Sequence, residues 1–413
     1  MSRCFSIMMK ECKAFIDPRS SRGMRVRQPV TGLEWTELIY PDVPCFLRDG
    51  RSFVFHSSIG PQICYLEKKV RPQSLFSDRK SRHFVITFDG RFAYYTVQND
   101  KQGGTLTLLR KDLETFRTEK LFQASGRLPG SKLSVSRFSR IQTVSSDNRR
   151  VATTGCCLGG RGKPTGPFGI LVIDLDSGRT RIAAQDPEFG NPHVQYCRAP
   201  GEEASHDLMI QMNHSLAPVP GALGVDAHVV RDDGTNWRNL PWGRDGKESL
   251  IGHQIWRGNT RAGVTVILEN KDTSYGWADG TRQDVVAGWP VPAARDAHTG
   301  RRTRGASRAR VELSNELSHA RFCHLCTDAT GLKFALDTFP IFDGERAGMQ
   351  VFFARARDER SPLKFTYLLN SHNTFTGKSL HAHPILSPDG SMLLFNSAVS
   401  GTRQFYLVTG FNQ

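Results

Sequence analysis

Residues 386–397 read Leu386-Ser387-Pro388-Asp389-Gly390-Ser391-Met392-Leu393-Leu394-Phe395-Asn396-Ser397. The Asp-Gly pair favours a tight hairpin turn, and the apolar run after it has the length of a buried strand. The same plan recurs at residues 47–58 and 87–96, where an Asp-Gly turn again precedes an apolar strand that ends in small polar residues. The stretch is therefore the marker of a repeated hairpin unit.

Further copies of this marker extend the repeat along the chain. Residues 146–154 carry Asn148 in the tight-turn position, residues 328–338 form a looser copy, and weaker echoes lie near Gly201 and Gly263. Successive turn residues are about 40 to 70 positions apart, a spacing typical of a propeller blade, whose small sheet covers its apolar faces by stacking on its neighbours.

The seven units predict an all-β fold, a seven-bladed β-propeller, in a single domain over residues 1–413. The N-terminal segment is a candidate strand of the last blade. The predicted blades are marked by residues 47–66, 87–109, 146–175, 193–231, 253–290, 324–353 and 383–408.

Composition favours a soluble, reduced, cytoplasmic protein. Hydrophobic residues make up 38% of the 413 positions, and no apolar run approaches the length needed to cross a bilayer. The first residues lack the apolar core and small-residue cleavage site of a secretory signal. Nine scattered cysteines are an odd number without framework spacing, so we expect reduced thiols.

The chain carries a formal charge of +15, from 55 basic and 40 acidic side chains. Such a field attracts polyanions, which include nucleic acids and acidic polysaccharides. The densest basic run, residues 301–310, is interpreted as a solvated surface loop. Because the sequence contains no zinc-finger, helix-turn-helix or RNA-recognition signature, we expect no nucleic-acid partner. The oligomeric state is left open.

Several of the 13 histidines stand just before marker strands or their equivalents: His193, His253, His324 and the pair His381 and His383. Equivalent strand ends of successive blades converge on one mouth of a propeller, so these side chains are expected to meet. Two histidines at i and i+2 on an extended segment share a face and can bind one metal ion. Cys323-His324-Leu325-Cys326 also has the spacing of half a zinc site, but the sequence contains no second such cysteine pair.

Three stretches resemble oligogalacturonate lyases: Gly252-His253-Gln254-Ile255-Trp256, Cys323-His324-Leu325 and His381-Ala382-His383-Pro384. The resemblance implies a seven-bladed propeller that binds a divalent metal, manganese, through histidines of two late blades, with another histidine as the base. Carried over, His253 is the Brønsted base, and His324, His381 and His383 are the metal ligands.

Two departures from the family pattern bear on the site. Lys378 stands where the family has a glutamine ligand, and a protonated lysine is no ligand, so water or His372 would complete the shell. The family's charge-neutralising arginine aligns with residues 226–234. The aligned position is Asp226 or His228, and Arg231 is a nearby catalytic substitute. The predicted substrate-binding residues are His193, Asn213, His214 and Lys378.

The leading hypothesis is a metal-dependent polysaccharide lyase that cleaves short uronate-containing oligosaccharides of the pectin type by β-elimination. The reaction removes a weakly acidic proton beside a carboxylate, which a cation assists and an imidazole base can perform near neutral pH. Imidazole ligands suit Mn, Fe, Ni or Zn equally. A non-catalytic interaction platform, or a metal-dependent hydrolase or isomerase acting on another sugar, are the alternatives.

Overall fold

The chain, described here by a computed structural model, falls into two compact units. The first comprises residues 1–82 and 313–413, and the second comprises residues 83–312. The prediction of one domain over residues 1–413 stays a prediction. The structure describes residues 9–68, 70–76, 83–99, 104–129, 134–135, 138–156, 168–186, 189, 191–213, 225–240, 248–250, 252–269, 283–290, 309–311, 322–340, 347–359, 361, 363–374 and 381–412.

The N-terminal part of the first unit consists of short strands and one 3₁₀ turn, Lys13–Phe15. The strands are β1 (Lys10–Glu11), β2 (Arg25–Gln28), β3 (Thr36–Leu38), β4 (Ser52–Ser57), β5 (Gln62–Tyr65) and β6 (Gln73–Ser74).

The second unit contains seventeen described strands and one four-residue helix. They are β7 (Phe84–Ile86), β8 (Phe92–Asn99), β9 (Thr105–Asp112), β10 (Thr118–Ser125), β11 (Phe138–Val144), β12 (Arg150–Cys156), β13 (Phe168–Asp174), β14 (Thr180–Asp186), β15 (Gln195–Tyr196), α1 (Glu202–Ser205), β16 (Asp207–Asn213), β17 (Val225–Arg231), β18 (Arg238–Asn239), β19 (Glu248–Leu250), β20 (Ile255–Trp256), β21 (Ala262–Glu269), β22 (Gln283–Pro290) and β23 (Ala309–Val311).

The C-terminal part of the first unit adds seven strands. They are β24 (Phe322–Thr327), β25 (Lys333–Thr338), β26 (Gln350–Arg355), β27 (Lys364–Asn370), β28 (Ile385–Leu386), β29 (Leu393–Ser397) and β30 (Gln404–Thr409).

Among the described residues these strands form seven antiparallel sheets. The first unit holds three, in the orders β3-β4-β5-β6, β24-β25-β26-β27 and β1-β2-β30-β29-β28. The second holds four, in the orders β10-β9-β8-β7, β11-β12-β13-β14, β15-β16-β17-β18 and β19-β21-β22-β23, with β20 paired to β21. Each predicted marker range falls in a different sheet, and the all-β class is confirmed.

The turn markers fold as the sequence predicts. Ser387 Oγ donates to Asp389 Oδ1 at 2.5 Å, and the same carboxylate oxygen accepts the Ser391 backbone N–H at 2.9 Å. Such short side-chain bonds to the backbone are what favour Asp in turns. In the third copy Asn148 has a φ of 60°, the left-handed conformation that Asn tolerates better than most residues. Asn148 therefore replaces the turn glycine without changing the hairpin.

The N-terminal segment completes the last sheet of the first unit, as predicted. Strand β2 pairs with β30, with Val26 opposite Val408, and β1 pairs with β2. Phe15 lies in the same core, with its ring centroid 5.1 Å from that of Phe395 and 4.6 Å from that of Tyr406. Residues distant in sequence therefore share one apolar core.

Phe15→Ala is expected to lower the free energy of unfolding by about 3–5 kcal/mol, because it removes a fully buried aromatic ring. Urea unfolding of the variant beside the wild type measures this loss. The control is Ile16→Ala, which truncates a neighbouring side chain that is 37% exposed and should change stability by no more than about 0.5 kcal/mol. Equal losses from the two variants would show that the N-terminal segment does not pack as described.

The six cysteines whose side chains the structure describes are free thiols, and five of them are buried. In the described part of the chain, no helix has the length and apolar character needed to cross a membrane. Residues 301–308 of the basic run lie outside the described residues, and Ala309 and Arg310 belong to β23.

Candidate functional site

The three predicted metal ligands come together in the first unit. His324, His381 and His383 each offer a ring nitrogen, and these nitrogen atoms lie within 4.8 Å of one another. The centroid of the His324 ring is 4.5 Å from that of His381 and 4.4 Å from that of His383. His324 is buried and the other two are half-buried. Three imidazoles at these separations can hold one divalent cation.

Irregular backbone aims these side chains at one another. The register of β24 against β25 shifts between Phe322 and Leu325, and such an irregularity redirects the side chain it contains, here His324. His383 lies in the loop before β28 with a φ of 46°. The expectation of an extended segment is therefore wrong at His383, whose backbone is left-handed. The rings of His381 and His383 are nonetheless stacked, with centroids 5.1 Å apart.

A buried carboxylate, Asp337 of β25, stands behind the histidines. Its Oδ1 accepts the His324 backbone N–H at 2.7 Å and lies 3.1 Å from His324 Nδ1. Its Oδ2 accepts the backbone N–H of His383 at 3.0 Å. A carboxylate bonded to Nδ1 fixes the tautomer in which Nε2 has the lone pair for a metal. Asp337 thus orients one ligand and ties down the backbone of another.

The electrostatics of this cluster favour ligation. Burial lowers the pKa of His381, partly opposed by the Asp337 carboxylate, so the neutral imidazole that a metal requires predominates at neutral pH. Burial raises the pKa of Asp337 to about 6, and His383 opposes that rise. The Tyr40 ring packs edge-on against His383, with centroids 5.0 Å apart. Three imidazoles with a buried carboxylate behind them suit a divalent first-row transition metal.

The other candidate ligands considered above, Cys326 and His372, lie outside this cluster of three histidines, and burial disfavours the thiolate of Cys323. Burial raises the pKa of Cys323, which disfavours the thiolate that zinc needs, and the Cys326 Sγ accepts the Leu386 backbone N–H at 3.1 Å. His372, considered above as a fourth ligand, instead lies with its Nε2 3.2 Å from the Ala14 carbonyl oxygen and its ring against Phe15. Among the described residues of the first unit, the ligand cluster contains His324, His381 and His383.

A second pair of predicted residues meets in the second unit. The rings of His193 and His253 lie edge to face, with centroids 5.9 Å apart. The Nε2 of His193 is 3.1 Å from Asn191 Nδ2. Gly252, which precedes His253, has a φ of 83° and packs closely against Val225. A Cβ at this position would lie 3.3 Å from the Val225 side chain. The predicted base and the predicted substrate-binding histidine are therefore neighbours.

Arg231 is not brought to this pair, which corrects its predicted catalytic place. It ends β17 opposite Asp207, the first residue of β16. The residue of β16 beside His193 is Gln211, whose backbone N–H donates to the Pro192 carbonyl. Four residues at about 3.3 Å each separate Asp207 from Gln211, about 13 Å along the strand. Arg231 thus lies at the opposite end of its sheet from His193.

The other predicted site residues lie at different places, and some lie outside the described residues. Asp226 pairs with Met212 and so lies at the His193 end of the sheet. His228 is buried, with its Nδ1 3.0 Å from Asn239 Oδ1. Asn213 ends β16, and its side chain is not among those described. His214 and Lys378 lie outside the described residues.

Sequence reasoning missed two buried carboxylates at the other end of this sheet. Asp232 is fully buried and accepts hydrogen bonds or ion pairs from Arg150 Nε and Arg181 Nη2, both at 2.8 Å, and from the Tyr196 hydroxyl at 3.1 Å. Asp207 pairs with Arg238 and, at 2.6 Å, with Arg261. These charges satisfy one another, so this end of the sheet is structural.

Comparison with known proteins identifies the fold. The sequence matches no protein-family model and no curated protein. Its structure is similar to that of an oligogalacturonate lyase in complex with manganese, with a TM-score of 0.67 and 16% identity over 99% of this chain and 98% of that one. An oligogalacturonate lyase from Vibrio parahaemolyticus matches with a TM-score of 0.64 and 14% identity over 98% and 97%. The β-propeller class, and the predicted resemblance in fold, are confirmed.

Proposed function

We propose that this chain is a divergent oligogalacturonate lyase, a metal-dependent polysaccharide lyase that cleaves short uronate-containing oligosaccharides by β-elimination. The observation that carries the proposal is the meeting of His324, His381 and His383 with Asp337 behind them. These histidines belong to the stretches on which the resemblance rests, and a non-catalytic platform has no use for such a cluster. The fold match over nearly the whole chain supports the same function.

The proposed chemistry assigns one role to each group of histidines. A divalent cation held by His324, His381 and His383 would supply the positive charge that neutralises the uronate carboxylate and stabilises enolate-like charge. The imidazole of His253 takes the proton from C5, the bond between C4 and the leaving oxygen breaks, that oxygen gains a proton from solvent, and a sugar with a C4–C5 double bond results. Arg231 has no part in this scheme, because it lies at the far end of its sheet.

The finer features of the proposal have separate support. The charge of +15 favours an acidic substrate, and we assign His193, which lies beside His253, to substrate binding. Asn213, His214 and Lys378 keep their proposed substrate-binding roles. We further propose manganese as the metal, a cytoplasmic location, and a seven-bladed propeller in which each of the seven sheets is one blade.

The direct test is an assay for the unsaturated product. Oligogalacturonates and related uronides are incubated with the protein, with and without added Mn²⁺ or a chelator, and ultraviolet absorbance of the 4,5-unsaturated sugar is followed. We expect product with metal, none with chelator, and recovery when metal is returned. No unsaturated product from any uronide would favour the platform, and cleavage or rearrangement without a double bond would favour a hydrolase or isomerase.

Asp337→Asn is expected to weaken metal binding by about 10- to 100-fold, as loss of an orienting partner of a histidine ligand does. The amide presents a donor where a carboxylate oxygen now accepts the His383 N–H. The matched control is Asp328→Asn, which changes another buried carboxylate next to β25 that bonds backbone N–H groups of Leu332 and Lys333 and no histidine. Metal titration should give wild-type affinity for the control; equal weakening in both variants would remove the role of Asp337.

A further inference from the structure

Two buried glutamine side chains of the second unit reach towards the histidine pair. Gln195 of β15 is 3% exposed, and Gln211 of β16 is 2% exposed. Gln195 pairs with Met209, two residues before Gln211, so both glutamines lie on the same face of their sheet. This is the face that Trp256, in the stretch containing His253, packs against.

Gln195 ties down the stretch that follows His253. Its side-chain Nε2 donates to the Gln254 carbonyl oxygen at 2.7 Å. In return, Trp256 Nε1 donates to the Gln195 carbonyl oxygen at 3.1 Å. Gln195, two residues after His193, thus holds the backbone carbonyl of Gln254, the residue that follows His253.

Gln211 ties down the stretch that precedes His193. Its side-chain Nε2 donates to the Asn191 carbonyl oxygen at 2.8 Å, and its backbone N–H donates to the Pro192 carbonyl oxygen at 2.9 Å. The same side chain lies against Gly252, where a Cβ would be 3.4 Å from Gln211 Oε1. One amide therefore contacts both histidine-bearing stretches.

Each of these two amides is only partly paired. Neither Oε1 atom has a hydrogen-bond partner in the part of the chain that the structure describes. A buried acceptor without a partner costs about 1–3 kcal/mol. Buried polar atoms that lack a hydrogen-bond partner are expected at functional sites.

We propose that Gln195 and Gln211 are positioning residues that hold the rings of His253 and His193 in their working geometry. The inference rests on the proposed function, in which His253 is the base. Both glutamines act through backbone carbonyls beside the histidines. Because a displacement of about 1 Å at a reacting group can lower the rate by about 100-fold, loss of either amide should lower turnover without disturbing the metal ligands.

The test compares Gln195→Met and Gln211→Met with Gln142→Met. Gln142, which is half-buried, is the control, since its Oε1 also has no partner among the described residues and its Nε2 donates to the Thr154 side chain and not to a backbone carbonyl beside a histidine. We expect kcat to fall about 10- to 100-fold in the first two variants, with KM changed by less than about twofold and wild-type metal content. A purely structural role predicts the reverse, a lower melting temperature with kcat preserved.

A second measurement separates this inference from the proposed function. Ring ¹⁵N signals of His253 and His193 should shift in Gln195→Met and Gln211→Met and stay in place in Gln142→Met. If the wild type makes no unsaturated product, the lyase proposal fails and this measurement still tests the positioning. Unchanged ring signals, or unchanged kcat in an active enzyme, overturn the inference. Gln195→Asn and Gln211→Asn, which shorten the reach of the amide, serve if the methionine variants do not fold.

Discussion

His253→Ala is expected to lower turnover by about two to four orders of magnitude, the usual effect of removing a general base. Substrate binding should be retained, because in the proposed scheme His253 moves a proton and is not one of the three proposed metal ligands, which belong to β24 and the loop before β28. The measurement is the rate of ultraviolet absorbance increase from a trigalacturonate substrate, together with elemental analysis of the variant.

A second histidine of the same unit provides the control. His206 is bonded through Nδ1 to Asp232, 2.9 Å away, at the structural end of its sheet. His206→Ala should therefore keep most of the turnover, even if it lowers the melting temperature. An unaltered rate in His253→Ala would remove the assigned role of that imidazole.

The double variant His381→Ala, His383→Ala is expected to lose the bound divalent ion. Wild-type protein purified without chelator should carry about one ion per chain, as a single three-histidine site would hold. The variant keeps His324 alone, and one imidazole does not retain a metal through purification. Elemental analysis of both proteins gives the comparison, and activity should disappear with the metal.

His372→Ala is the matched control for this loss. His372 lies a few residues upstream, but its ring packs on Phe15 and its Nε2 faces the Ala14 carbonyl. Its removal should leave metal content unchanged. Equal metal in the wild type and the double variant would place the ion elsewhere.

The features predicted correctly depend on residues that are close together in the sequence. Asp-Gly turns before apolar runs fix hairpins through bonds between neighbours, as at Asp389, so three such turns and four looser copies indicate the sheets. The proximity of His381 and His383 was also predictable locally, since they are two residues apart; their role as metal ligands stays a prediction. Such patterns need no knowledge of which strands pair.

The features that the sequence analysis missed depend on which strands pair and in which register, and a local sequence pattern does not indicate this. Asp337 is one acid in an apolar strand, and only the pairing of β25 with β24 brings it to His324. Arg231 is close in sequence to Asp226, but the register of β17 puts the two at opposite ends of the sheet. The left-handed backbone at His383 is held by tertiary contacts, among them the bond from its N–H to Asp337.

The pairing of β2 with β30 has a consequence for how the protein is made. A ribosome releases β2 early and β30 late, so for most of synthesis the edge of β2 that β30 will cover has no partner, and open strand edges invite aggregation. A message cut short before residue 404 would leave Val26 without Val408 and Phe15 without Tyr406. Products truncated there should therefore leave the edge of β2 exposed and lack the partners that complete this sheet.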